Sequence, residues 1–225
     1  AKATGTADIT ASVENGVSAK CAITVKSKTE PGNVIIPQSI MSVKAVSSYE
    51  DTDGSFGANV LDGDKNTIWH SKWSGVAPQP PHWITIDLGR VLPVKKLHYL
   101  PRPESHNNGT ITTYKIYASI DGEEFTVVDG GVWEKNNDEK TAAFLETQAR
   151  YIKLEGYESF ASCAEINIET SDITHKNLWE TLTKAEVLLK NAVIGSERGQ
   201  YTEEGVRVFR KAVDKARTTA ANISV

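Results

Sequence analysis

Between Asn59 and Trp73 the chain reads N-V-L-D-G-D-K-N-T-I-W-H-S-K-W, and two kinds of chemistry lie side by side in it. Asp62, Asp64, Asn66 and Thr67 place hard oxygen donors at short spacing around Gly63, a residue that lets the chain turn tightly. Calcium takes ~6–8 oxygen ligands from carboxylates, hydroxyls and backbone carbonyls, so this loop is a candidate for it. The spacing is not that of an EF-hand, whose required Glu is missing, and a plain polar turn is the alternative. Trp69, His70 and Trp73 follow at once, aromatic faces and one imidazole with no second metal-type ligand beside them. The pairing suggests an ion-braced loop presenting an aromatic, hydrogen-bonding site. Set against that, a lone Trp or His more often packs than binds.

Composition bounds the function. The chain has 225 residues, 39% hydrophobic and 24% charged, with a formal net charge of −4. This is ordinary globular composition, enough for one or two cores. Mild acidity and the lack of a basic stripe argue against nucleic acid as a partner. No apolar run approaches ~18 residues, so no membrane insertion is expected. There is no signal peptide and no initiator Met; the start, A-K-A-T-G-T, reads as a piece of something longer. Cys21 and Cys163 are far apart and have neither a partner His nor a C-x-x-C neighbour. Isolated thiols are expected, with no thiol catalysis and no zinc site.

The elements that must hold the Asn59–Trp73 stretch are strands. Residues 8–26 alternate with period two on both sides of Asn15-Gly16, the strongest short hairpin signal. A hairpin alone is marginal in water. Residues 28–38 have the Pro, Gly and polar content of a linker, and residues 39–170 carry successive short strands. They read I-M-S-V-K-A-V-S-S, W-I-T-I-D-L, V-K-K-L-H-Y-L, Y-K-I-Y-A-S, F-T-V-V, R-Y-I-K-L-E-G-Y and A-E-I-N-I-E, with a turn at Asp121-Gly122. So many short strands within ~130 residues predict a mainly β protein, a β-sandwich, with binding residues gathered in the loops 51–82 and 102–112. Trp69 and Trp83 are assigned to its core.

From residue 171 to 225 the period changes. Leu178, Leu182, Ala185, Leu189 and Ala192 recur every three or four residues, as do Val206, Phe209, Val213, Ala216, Ala220 and Ile223. Two amphipathic helices are predicted, broken at Gly195 and Gly199 with Thr202 as N-cap. Such a hairpin buries little alone, so it should dock on the sandwich or begin a three-helix unit.

The middle segment resembles a family 32 carbohydrate-binding module, of the discoidin and coagulation factor 5/8 type C superfamily. The residues carrying the likeness are A-x-N-V-L-D-G-D-x-x-T-I-W-H-S-x-W, P-P-H-W-I-T-I-D-L-G, Y-L-P-R followed by N-N-G, Y-K-I-Y-A-S-x-D-G, A-R-Y-I-K-L and F-A-S-C-A-E-I-N. Each is weak alone; all in order over ~130 residues are strong. The first 27 residues are similar to the last two strands of a bacterial immunoglobulin-like group 2 repeat. The helices are more loosely similar to the "found in various architectures" segments of secreted bacterial glycan-active proteins. The resemblance implies a discoidin-like jelly-roll sandwich, secreted or on the cell surface of a bacterium, with a catalytic domain elsewhere in the parent chain.

It also implies site residues. For a structural calcium ion these are Asp62 by its carboxylate, Asn59 and Asp64 by backbone carbonyls, Thr67 by hydroxyl and carbonyl, the Ala164 carbonyl and the Glu165 carboxylate. For sugar they are His70, Arg102 and Asn108, with aromatic contacts from Trp73 and Phe160. Arg, Asn and His together donate to and accept from pyranose hydroxyls, and an aromatic face covers the C–H side of the ring. Competing roles are a surface pair of Arg102 with Glu104, and loop packing for Trp73 and Phe160. Pro103 and the nearby His106 depart from the family pattern, leaving the subsite beside the first sugar open.

The expected function is therefore a non-catalytic module for glycans ending in galactose or N-acetylgalactosamine. The alternative is a protein- or membrane-binding adhesion module, but those usually close the sandwich with a disulfide, and this one holds only Cys163. A glycosidase would need two carboxylates flanking one cleft; Asp62, Asp64 and Glu165 are better explained as ion ligands.

Overall fold

A computed structural model describes residues 5–12, 18–25, 32–103 and 108–222, and the chain forms two compact units, Ala1–Gly32 and Asn33–Val225. In the first, β1 (Gly5–Ser12) and β2 (Ser18–Val25) pair antiparallel from Gly5↔Val25 to Ser12↔Ser18. The alternation on either side of Asn15-Gly16 thus makes two strands; that turn itself lies outside the described residues.

The second unit is built on two long strands, β6 (His82–Leu100) and β9 (Lys140–Gly156), paired antiparallel along most of their length. Short strands flank them: β3 (Val34–Ile35), β4 (Ser42–Val46), β5 (Trp69–His70), β7 (Thr113–Ser119), β8 (Thr126–Val132), β10 (Ser162–Cys163) and β11 (Glu165–Thr170). The main sheet runs β3-β11-β6-β9-β7-β8; β4 pairs with the first half of β6, and β11 with its second half. The core of this antiparallel β-sandwich follows from period-two patterning. Ile84, Ile86, Leu88, Leu92 and Val94 point inward at even numbers, and Leu97 and Tyr99 at odd ones. The change of parity falls at the register shift between Val94 and Lys96, as an extra residue in one strand requires. The sequence suggested two strands here. They are one, because Gly89 (φ +79°) lets the strand bend while Asp87 accepts the Gly89 amide and a bidentate Arg150 pair. Trp69 is fully buried as expected; Trp83 is only half-buried.

Helices α1 (Lys176–Lys190) and α2 (Glu203–Asn222) follow, and the Thr202 hydroxyl accepts the Gly205 amide at 3.1 Å as an N-cap should. The hairpin docks on the sandwich. Trp179, Leu182, Val213 and Ala220 are buried in the same apolar cluster as the strands. The Arg90 guanidinium lies 5.3 Å from the Trp179 ring centre. Arg217 ties the helices together through Glu186. Among the described residues, no helix is long and apolar enough to cross a membrane.

Candidate functional site

His70 sits on β5, whose register against β10 places it opposite Ser162 and Trp69 opposite Cys163. The segment is knitted in: Ser71 donates its amide to the Ala161 carbonyl at 2.8 Å, and its hydroxyl accepts the Ala161 amide at 2.9 Å. The imidazole is buried, with Nδ1 at 2.7 Å from the Ser71 carbonyl oxygen. That oxygen only accepts, so Nδ1 carries the proton and Nε2 is left as an acceptor. Burial pushes the imidazole pKa down, the Ser71 bond opposes this, and the Arg102 charge pushes it down further. His70 is therefore neutral at pH 7, with an acceptor nitrogen in the field of a guanidinium.

The other residues assigned from the sequence arrive from separate loops. Phe160, just before β10, is half-buried with its ring centre 6.0 Å from that of His70. Arg102 leaves the end of β6 and lines a cleft with Asp53 and Ser55. Asn108 lies in the turn before β7, where its carbonyl accepts the Ser162 hydroxyl and the Gly109 carbonyl accepts the Ser162 amide at 2.6 Å. The approach needs a glycine. Gly109 has φ +78°, and a Cβ there would sit 2.9 Å from Ser162 Oγ. Ser162 is itself held by the buried Tyr99 hydroxyl, which donates to its carbonyl at 2.8 Å. One short strand thus registers both His70 and Asn108. Glu104 and His106 lie outside the described residues.

Trp73 is 47% exposed. Its loop is fixed by Glu50, a residue the sequence reading did not single out. The buried Glu50 carboxylate accepts the amides of Thr52, Trp73 and Ser74 and the hydroxyls of Thr52 and Ser74. Burial alone would push this carboxyl up, but the bonds from Thr52, Ser74 and Trp73 outweigh it and hold the group well below the usual carboxylate range. The Glu50 amide in turn donates to the His70 carbonyl at 2.9 Å. Asp53 was also missed; it lines the cleft with Arg102, and its charge acts on His70. The only signal for either was the acid-rich run E-D-T-D at 50–53, ahead of the loop that was recognised.

The oxygen-rich loop closes on itself. Asp62 accepts the Asp64 amide at 2.7 Å and the Thr67 hydroxyl at 2.7 Å, and the Asp64 carboxylate is committed to Asn66. The Asn59 side-chain amide donates to the Gly54 and Ile68 carbonyls, and its backbone oxygen accepts the Asp62 amide at 3.4 Å. Glu165 at the start of β11 faces this loop. Its carboxyl is pushed up to about 7, by burial first; a Gln38 hydrogen bond opposes this, and the Asp62 charge adds to it. Two neighbouring carboxylates that repel each other in a partly buried setting fit a hard cation. Among the described residues no three His, Cys, Asp or Glu side chains converge as a metal site. Hydroxyl and carbonyl oxygens from Thr67, Asn59, Asp64 and Ala164 would complete the set, as calcium chemistry allows. A further contact comes from the helices. Lys190 donates to the Gly63 carbonyl at 2.7 Å, which sequence spacing across so many residues had no means of revealing.

Residues 42–166 match the F5/8 type C domain. The chain belongs to that family. Within it, the likeness is to family 32 carbohydrate-binding modules. One from Clostridium perfringens NanJ, solved in complex with galactose, is 37% identical, with 61% of this chain and 99% of that one covered at a TM-score of 0.55. Another C. perfringens module, CpGH89CBM32-5, solved with GalNAc-β-1,3-galactose, is 35% identical, with 60% and 98% covered at a TM-score of 0.56. Among curated proteins, an A type blood N-acetyl-α-D-galactosamine deacetylase of Flavonifractor plautii is 34% identical over 170 residues, 73% of this chain. The chain spans 21% of that protein's length, and 22% of a Micromonospora viridifaciens sialidase it also matches at 34% identity.

Proposed function

We propose that this F5/8 type C domain is a non-catalytic module that binds the terminal galactose or N-acetylgalactosamine of a glycan. The observation that carries this is the buried, neutral His70. Its Nε2 is an acceptor, its neighbour Arg102 is a fixed donor fork, and the Phe160 ring lies beside it. An acceptor and a charged donor meeting at one hydroxyl distinguish axial from equatorial arrangements, since a missed polar partner costs about 1–3 kcal/mol. Asn108 and Asp53 supply further polar contacts, and Trp73 and Phe160 the apolar face. The two C. perfringens modules solved with galactose-containing ligands support the same sugar class.

Calcium would be held by the Asp62 and Glu165 carboxylates, the Thr67 hydroxyl, and carbonyls of Asn59, Asp64 and Ala164. It would supply charge that neutralises the two carboxylates and braces the loop against β11. The protein is secreted or displayed on a bacterial surface, alongside a glycan-active catalytic domain in the parent chain; the helical hairpin packs on the module as a spacer. A few hydrogen bonds and a stacked ring give roughly millimolar affinity, about 4 kcal/mol, so tethering or multivalency supplies useful attachment. Titration with galactose, N-acetylgalactosamine and glucose in calcium buffer tests the reading. Saturable binding of the first two is expected, and binding of none, or of glucose equally, defeats it.

A further inference from the structure

Lys190 is the last residue of α1, and its ammonium reaches across to the oxygen-rich loop. It donates to the Gly63 carbonyl at 2.7 Å and to the Asp62 carbonyl at 3.5 Å. Helix docking puts it there, since Trp179 and Leu182 of the same helix are buried in the cluster shared with the strands. Glu186, one turn before Lys190 and therefore on the same helix face, is taken by the Arg217 guanidinium at 3.0 and 3.1 Å. Among the described residues the hydrogen-bond partners of Lys190 are the two loop carbonyls and no carboxylate.

We propose that, through Lys190, the helical hairpin lowers the calcium affinity of the sandwich, so that calcium binding and the Lys190–loop contact oppose each other. The proposal rests on the calcium reading given above and assigns a residue of the helices to the regulation of that site. Calcium would draw on the Asp62 carboxylate and the Asp64 carbonyl, which belong to the same turn as the carbonyls that Lys190 holds. The ammonium is thus a tethered cation on the turn that a divalent cation must share, and like charges repel.

Two further observations bear on the size of the effect. The Lys190 charge acts on Glu165, where it opposes burial and the Asp62 charge together with the Gln38 hydrogen bond, and on Asp64, where it adds to the hydrogen bonds from Asn66. Its field therefore spans the acids on both sides of the loop. The contact is also exposed, which keeps the repulsion modest and open to screening by salt. A cleft of about 340 Å³, bordered by Gln38, Asp62, Gly63, Glu186, Lys190 and Arg217, lies at this junction and gives the ammonium room to move aside while the helix stays docked. Coupling between two binding events is reciprocal, so whatever calcium affinity Lys190 removes, calcium removes from the hold of Lys190 on the loop.

Calorimetric titration of calcium into the full chain, stripped with chelator beforehand, tests the proposal in the parent, Lys190→Met and Lys190→Arg. At low ionic strength Lys190→Met should bind calcium roughly two- to tenfold tighter than the parent, the scale of one exposed charge acting on a divalent ion. Lys190→Arg keeps the charge and should bind as the parent does. The difference between Lys190→Met and the parent should shrink as added salt shortens the screening length. A damaged fold would weaken binding, so tighter binding separates the electrostatic role from a merely structural one. Hydrogen exchange in the last turn of α1 should quicken when calcium is added to the parent and stay unchanged in Lys190→Met. Equal affinity in the parent and Lys190→Met, weaker binding by Lys190→Met, or Lys190→Arg behaving as Lys190→Met would overturn the proposal, and so would slower α1 exchange in calcium. Calcium bound by neither the parent nor any variant defeats the calcium reading itself, and the proposal falls with it.

Discussion

Replacing Gly109 by alanine tests how the site is held together. The backbone there has φ +78°, where an L side chain costs about 1–2 kcal/mol. The new Cβ would also meet Ser162 Oγ at 2.9 Å and the Ser162 Cβ and amide nitrogen at 3.0 Å. Ser162 has little room to yield: it is fully buried, its hydroxyl bonds the Asn108 carbonyl, and its carbonyl accepts the Tyr99 hydroxyl. Overpacking of this kind costs a further ~1–3 kcal/mol. The sum, about 2–5 kcal/mol, corresponds to a melting temperature lower by roughly 5–15 °C for a unit of this size. Because Ser162 also pairs with His70, the displacement should reach both polar arms of the site. Galactose affinity should fall about five- to tenfold, as for one net hydrogen bond lost. Differential scanning calorimetry and galactose titration on the same sample measure both effects. A melting temperature within about 2 °C of the parent, with unchanged galactose binding, would refute the claim that this contact positions Asn108.

Four further outcomes are expected. Glu50→Gln replaces an acceptor oxygen by a donor in the carboxylate that holds the Thr52, Trp73 and Ser74 amides, so galactose binding should weaken and Trp73 fluorescence shift to the red. Burial lowers the His70 pKa below its ordinary 6.5, so below that pH the unfolded chain takes up more protons than the folded one. Stability in a pH series is therefore lost as pH falls below 6.5, and galactose affinity stays flat above 6.5 and declines only below it. Calcium at about a hundred times its dissociation constant should add ~2.7 kcal/mol of stability, read as a rise in melting temperature that chelator reverses and Glu165→Gln abolishes. Trp179→Ala removes a fully buried side chain at the helix–sandwich contact and should cost about 3–5 kcal/mol in a denaturant melt, with galactose affinity retained.

Strand patterning was legible where inward residues alternate, as in β6, and the helices because their apolar residues recur at three and four; the first half of β9, from Lys140 to Ala149, was not read as a strand. The single length of β6 was not, since Gly89 reads as a break unless the Asp87–Arg150 pair that supports the bend is known. At the site, His70, Arg102, Asn108, Trp73 and Phe160 were named through a family likeness carried by local motifs. Glu50 was hidden for a physical reason: its partners Trp73 and Ser74 are 23 and 24 residues away, and a carboxylate in a polar loop looks solvated until its burial is seen. Lys190 was hidden likewise, because its contact with Gly63 exists only once the helices have docked.

The most direct measurement is calorimetric titration of galactose into the intact chain and its His70→Ala variant, in calcium buffer, with glucose as the control sugar. Saturable galactose binding near the millimolar range, no heat of binding with glucose, and loss of the galactose signal in the variant are predicted. Galactose bound equally well without the imidazole, or glucose bound as well as galactose, would contradict the role assigned to His70.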